Sequence, residues 1–118
     1  MAVTITEQKH TSIRKIVFSW TSAADGTASG TTTLPHDGQL LGLYTVPGTA
    51  ANQPTDQYDI TIKDEDGLDV VNAQGANRSN VNNELVISSL LFVAGDKLTL
   101  AVENAGNAKS GTVYLWYR

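Results

Sequence analysis

Residues 63–71, KDEDGLDVV, place four carboxylates (Asp64, Glu65, Asp66 and Asp69) within six positions, with Gly67 among them. Clustered carboxylate oxygens are the hard ligands that calcium and magnesium take. An EF-hand loop needs oxygen ligands at positions 1, 3 and 5, Gly at 6 and a bidentate Glu at 12. Counting from Asp64, position 5 is Leu68 and position 12 is Gly75, so the spacing fails. A hairpin accounts for the same residues better. With Glu65, Asp66 and Gly67 as a three-residue loop, Gly67 takes the left-handed conformation. Asp64 then faces Leu68, Lys63 faces Asp69, and Ile62 faces Val70. A two-residue Asp66-Gly67 loop would set Asp64 against Asp69, two like charges. The stretch from Asp64 to Gly67 is therefore expected to be a structural turn, and no metal or other cofactor is expected.

The other groups with chemical potential are few. His36 lies beside Asp37 in PHDG, and His10 is the second histidine of the chain. A catalytic base needs a nucleophile within hydrogen-bond reach, and no G-x-S-x-G signature marks one. The expectation is an exposed turn histidine and no enzymatic activity. Two histidines without a cysteine make a poor zinc set. The NRS tripeptide at 77–79 matches a glycosylation acceptor, but residues 1–10 lack an apolar leader. Export by the usual secretory route is not expected.

The elements that must position these residues are strands. Thr, Val, Gly, Asn and Asp abound, and turn residues recur about every ten positions, the pattern of an all-β sandwich or barrel. We read eight or nine strands in a single domain spanning 1–118, an antiparallel β-sandwich of jelly-roll-like type. Ile16, Phe18 and Trp20 share one strand face, as do Tyr58, Ile60 and Ile62, and Leu98, Leu100 and Val102. QLLGLYTVP is apolar on both faces, as a central strand is. ELVISSLLFV reads as a bent strand or a short helix. Residues 3–7 read as an edge strand, and residues 1–11 equally as a polar N-terminal arm.

The last strand, TVYLWYR, is aromatic on both sides. Val113, Leu115 and Tyr117 share one face; Tyr114, Trp116 and Arg118 share the other. A half-buried strand should be polar on one side. Tyr114, Trp116 and Arg118 are therefore candidates for an oligomer or partner interface, or for a sugar-stacking platform. The formal net charge of −4 and the lack of a basic run argue against nucleic acid as a partner. No apolar run approaches the roughly 20 residues of a membrane-spanning helix.

Three stretches, at 13–33 (IRKIVFSWTSAADGTASGTTT), 54–71 (PTDQYDITIKDEDGLDVV) and 97–117 (KLTLAVENAGNAKSGTVYLWY), resemble a family of small tailed-bacteriophage virion proteins. They cover about half of the chain and consist of strand and turn chemistry. The resemblance implies a structural role in the virion, and size and fold class suggest capsid decoration, or cement. Such a protein binds the major capsid protein on the outer capsid surface, braces neighbouring capsomers and often forms a homotrimer. Its place would be the virion, assembled in the bacterial cytoplasm. A tail or head–tail joining component and a carbohydrate-binding module of a fibre are the alternatives.

Overall fold

A computed structural model describes residues 2–118. Nine strands follow in order: β1 (Ala2–Gln8), β2 (Arg14–Thr21), β3 (Ala28–Thr31), β4 (His36–Pro47), β5 (Asp59–Lys63), β6 (Glu84–Val86), β7 (Phe92–Asp96), β8 (Thr99–Glu103) and β9 (Ser110–Tyr117). The single helical turn described is a 3₁₀ segment at Ala50–Asn52.

The strands make two layers. The larger sheet runs β1-β2-β9-β4-β6, with β7 also paired to β4; the smaller runs β3-β8-β5. Every pairing is antiparallel. The partners nest from the outside inwards: β2 with β9, β3 with β8, β4 with β6 and β7, and β5 with the segment that follows it. That last pairing comes from the Lys63–Asp69 and Tyr58–Arg78 bridges and from hydrogen bonds joining Ile62 to Val70 and Ile60 to Gly75. Four nested pairs split over two sheets make a jelly roll, with β1 added at one edge.

Period-two patterning builds the core. In β2, Ile16, Phe18 and Trp20 point inward and are almost wholly buried. Val113, Leu115 and Tyr117 of β9 lie beside them, and Leu43 comes from β4. Across the sandwich stand Ile60 and Ile62 of β5 with Leu100 and Val102 of β8. Each such side chain contributes roughly 1.5–3 kcal/mol when fully withdrawn from water.

Two segments differ from the sequence reading, and a third decides between two readings. Residues 36–38 are not a turn: they open the twelve-residue strand β4, which pairs with β7 from His36 to Gln39. ELVISSLLFV is neither a helix nor one continuous strand. It supplies β6 and the start of β7, which follow one another along the same edge of β4. Val86 pairs with Leu43 and Phe92 with Gln39, so extra residues bulge out between them, and Ser89 takes φ 63°. Of the two readings of the N-terminus, the edge strand holds: Ala2–Gln8 run in unbroken register with β2, from the Ala2–Thr21 pair to the Gln8–Lys15 pair.

Candidate binding face

The smaller sheet covers one face of the larger. The opposite face carries an aromatic band. Along one row, Val17 of β2, Tyr114 of β9, Tyr44 of β4 and Leu85 of β6 stand opposite one another in turn. The next row holds Lys15, Trp116 and Gly42. The Tyr114 and Trp116 rings are nearly parallel, 5.9 Å apart between centroids, and Tyr44 lies 5.7 Å from Tyr114 and 6.0 Å from Trp116. A side chain at position 42 would put its Cβ 3.1 Å from Cε3 of Trp116, so Gly42 makes room for the indole to lie across β4. Asn83 donates to the Tyr44 hydroxyl at 3.1 Å.

Beside this band lies an open hollow of about 360 Å³, lined by Ile13, Leu41, Gly42, Leu85, Ile87 and Trp116. Leu85 is 58% and Ile87 73% exposed. Large apolar side chains gathered in one exposed patch mark an interaction surface more often than isolated ones do. The strand patterns place no Asp or Glu in either row, although the chain carries twelve acidic residues against eight Lys and Arg. Of the three residues singled out in the sequence, Tyr114 and Trp116 belong to the band. Arg118 is exposed, and its backbone exchanges two hydrogen bonds with Gln39 at the strand end. Tyr44, Gly42, Leu85 and Ile87 join this face only through the β4–β9 and β4–β6 pairings, which a single sequence does not reveal.

The acidic stretch forms a tight turn. The Asp64 amide donates to the Leu68 carbonyl at 3.0 Å, the backbones of Lys63 and Asp69 pair as an antiparallel β-bridge, and Gly67 takes φ 88°. Asp64 Oδ1 accepts from the amides of Asp66 and Leu68, both at 2.9 Å. Asp69 accepts from the amides of Ile62 and Ala73. Carboxylate atoms of Asp64, Asp66 and Asp96 come within 4.8 Å of one another, and Asp96 Oδ2 accepts from the Glu65 amide. These carboxylates hold the backbone of the turn and tie it to the end of β7.

His36 departs most from expectation. It is buried rather than exposed, at 1% of its free surface. Its Nε2 lies 2.8 Å from Glu7 Oε1, and its Nδ1 meets the Tyr117 hydroxyl. Because β1, β4 and β9 converge here, the three side chains form a line across three strands. Glu7 also accepts from the Thr33 hydroxyl at 2.8 Å, the Thr33 amide at 3.3 Å and the Leu34 amide at 3.2 Å. Burial alone would raise the Glu7 pKa, but the hydrogen bonds from His36, Thr33 and Leu34 outweigh it and hold the carboxyl below its ordinary value. Burial lowers the His36 pKa, against the opposing pull of Glu7. Burial raises that of Tyr117. An acid–imidazole–hydroxyl line resembles a nucleophile and its base, yet the Tyr117 side chain is fully buried and its pKa is raised, so substrate has no path to the hydroxyl. Here the line joins strands.

A second buried polar group lies further along the core. Tyr58, Thr45 and Trp20 are buried, and the Tyr58 hydroxyl is near Thr45 without a well-aligned hydrogen bond. Burial pushes the Tyr58 pKa up to about 12.

No protein-family model matches the chain, and no curated protein matches it. Among solved structures, the crystal structure of FLHE is similar, with a TM-score of 0.46 and 11% identity over 90% of this chain and 97% of that one.

Proposed function

We propose that the chain is a non-enzymatic virion structural protein of a tailed bacteriophage, a capsid decoration protein that binds the major capsid protein and braces neighbouring capsomers. The observation that carries the docking role is the uncovered aromatic face of Tyr44, Tyr114 and Trp116 with its apolar hollow. Aromatic side chains that are half-covered in the free protein gain most when a partner completes their burial. The virion setting rests on the resemblance of the three stretches named above. A cement protein needs no reaction centre. It needs a rigid β scaffold and a face that fits the shell, and weak negative charge suits the outside of a particle whose DNA lies within.

The test is binding of the purified protein to capsids that lack it. Wild type is expected to bind, and Trp116→Ala to bind at least tenfold more weakly with its melting temperature nearly unchanged. Equal binding by Trp116→Ala, or none by wild type, overturns the proposal. Three neighbouring aromatics on one face also favour a second reading, a carbohydrate-binding module. Glycan-array binding that is lost in Trp116→Ala, without capsid binding, would select it.

A further inference from the structure

The sandwich has several sheet edges, and all but one are split, covered or short. The far edge of the larger sheet is split between β6 and β7 by the bulged residues around Ser89, and Gly95 in β7 takes φ 74°. In the smaller sheet, the outer edge of β5 is covered by its hydrogen bonds to Val70 and Gly75. β3 has only four residues. Splitting, covering and shortening are the usual ways in which proteins keep edges from pairing with other chains.

β1 is neither split nor short, and no described strand pairs with its outer edge. It is seven residues long, pairs one-to-one with β2 without a bulge, and contains neither Pro nor Lys. Its one charged residue, Glu7, points inward to His36 near the strand's C-terminal end, and is the single edge-guarding device in β1. Among the described residues, no backbone hydrogen bond reaches β1 from any strand but β2. Its other edge therefore presents a row of amide and carbonyl groups at strand spacing, which only another extended backbone can satisfy in register. A second observation falls on the same strand. Val3 and Ile5 pack against the core but stay only partly buried, although β3 lies over this strand and its Gly30 meets the Val3 side chain.

We propose that β1 pairs with β1 of a second copy of this chain, antiparallel across a two-fold axis through Thr4. The strand is self-complementary in that register. Val3 faces Ile5 of the other copy on the inner side, where both are only partly buried. On the outer side Thr4 faces Thr4, and Ala2 faces Thr6. β-branched apolar pairs and threonine pairs are favourable cross-strand neighbours. A two-fold axis through Ile5 would instead set Val3 against Glu7, which is already held by His36, Thr33 and Leu34. The contact is isologous and closes on itself, and the larger sheets of the two copies become one continuous sheet. It is a two-fold association where the family resemblance implies a three-fold one, and it does not depend on the capsid reading, since it forms in the purified protein.

Sedimentation velocity on the full chain across a range of concentrations tests the proposal. A monomer–dimer equilibrium is expected. Thr4→Lys with Thr6→Lys places like charges across the axis at exposed positions and should weaken the dimer at least tenfold. The corresponding Thr4→Glu, Thr6→Glu variant should do the same. A one-to-one mixture of the two should restore the dimer. The chain has no cysteine, so Thr4→Cys introduces the sole thiol, which should cross-link two copies under a mild oxidant. A strict monomer, a trimer, or a dimer insensitive to the lysine pair and lost in Trp116→Ala would each overturn the proposal.

Discussion

Glu7→Ala removes one end of the line that joins β1, β4 and β9. Four hydrogen bonds end on this carboxylate, and they are not equivalent. Thr33 is exposed and Leu34 is 44% exposed, so water replaces the carboxylate for their donors. His36 is 1% exposed and its Nε2 has no substitute partner within reach. Leaving a buried polar group unpaired costs about 1–3 kcal/mol. Removing the carboxylate also returns its desolvation penalty, but it leaves the buried imidazole nitrogen without a partner. The lost methylene contacts of Glu7 add to the cost. The expected destabilisation is about 2–3 kcal/mol, a fall in melting temperature of roughly 10 °C for a domain of this size. Glu7→Gln keeps the shape and one acceptor oxygen and should cost about 1 kcal/mol. Urea unfolding followed by fluorescence of the buried Trp20 reads both values. Glu7→Ala within about 0.5 kcal/mol of wild type would refute the reasoning, because surface substitutions typically have effects of that size. So would equal losses from Ala and Gln, which would leave the acceptor oxygen without a role.

The same cluster sets a pH dependence. His36 is held below its ordinary value of 6.5 and Glu7 below 4.5, so the unfolded chain binds more protons than the folded one as pH falls through each window. Stability should therefore be full above about pH 6.5, decline below it as His36 protonates in the unfolded chain, and decline again below about pH 4.5 with Glu7. Melting temperatures between pH 8 and 4 check this, and a His36→Gln variant that keeps the full decline between pH 6.5 and 5 would contradict it. At the acidic turn, Gly67→Ala should cost about 1 kcal/mol from backbone strain alone, since φ is 88° and the space beside it is open. Equilibrium unfolding measures that cost, and added calcium should leave the melting temperature of the wild type unchanged.

The local chemistry of this fold was legible in the sequence; the long-range partners were not. Strict alternation in β5, β8 and β9 shows which side chains face inward, because a strand has no other way to bury Ile60, Leu100 and Leu115 together with their neighbours. The turn at Asp64 to Gly67 could be read because opposite charges at Lys63 and Asp69 favour one register over the next. His36 misled because PHDG has turn composition, and its burial depends on Glu7 and Tyr117, 29 and 81 positions away. No local signal reports such a partner. The aromatic face was half legible. Tyr114 and Trp116 stand out as excess apolar surface on one strand, whereas Tyr44 and Leu85 come alongside only through pairings between distant segments.

The position of β9 bears on how the chain reaches this state. β9 lies between β2 and β4, and its partner Arg14 is 103 positions upstream of Tyr117. Until β9 is in place the larger sheet is two separate pieces, the β1–β2 hairpin and β4 with its short neighbours, each with a bare inner edge. Closing such a long loop comes before the contacts that reward it, so the rate-limiting step should be slow, as it is for β proteins rich in non-local pairings. On a ribosome the hairpin and β4 would wait, unjoined and open to pairing with other chains, for the segment that separates them. A truncation before Ser110 would make that waiting state permanent, and its expected result is aggregation rather than a smaller folded domain.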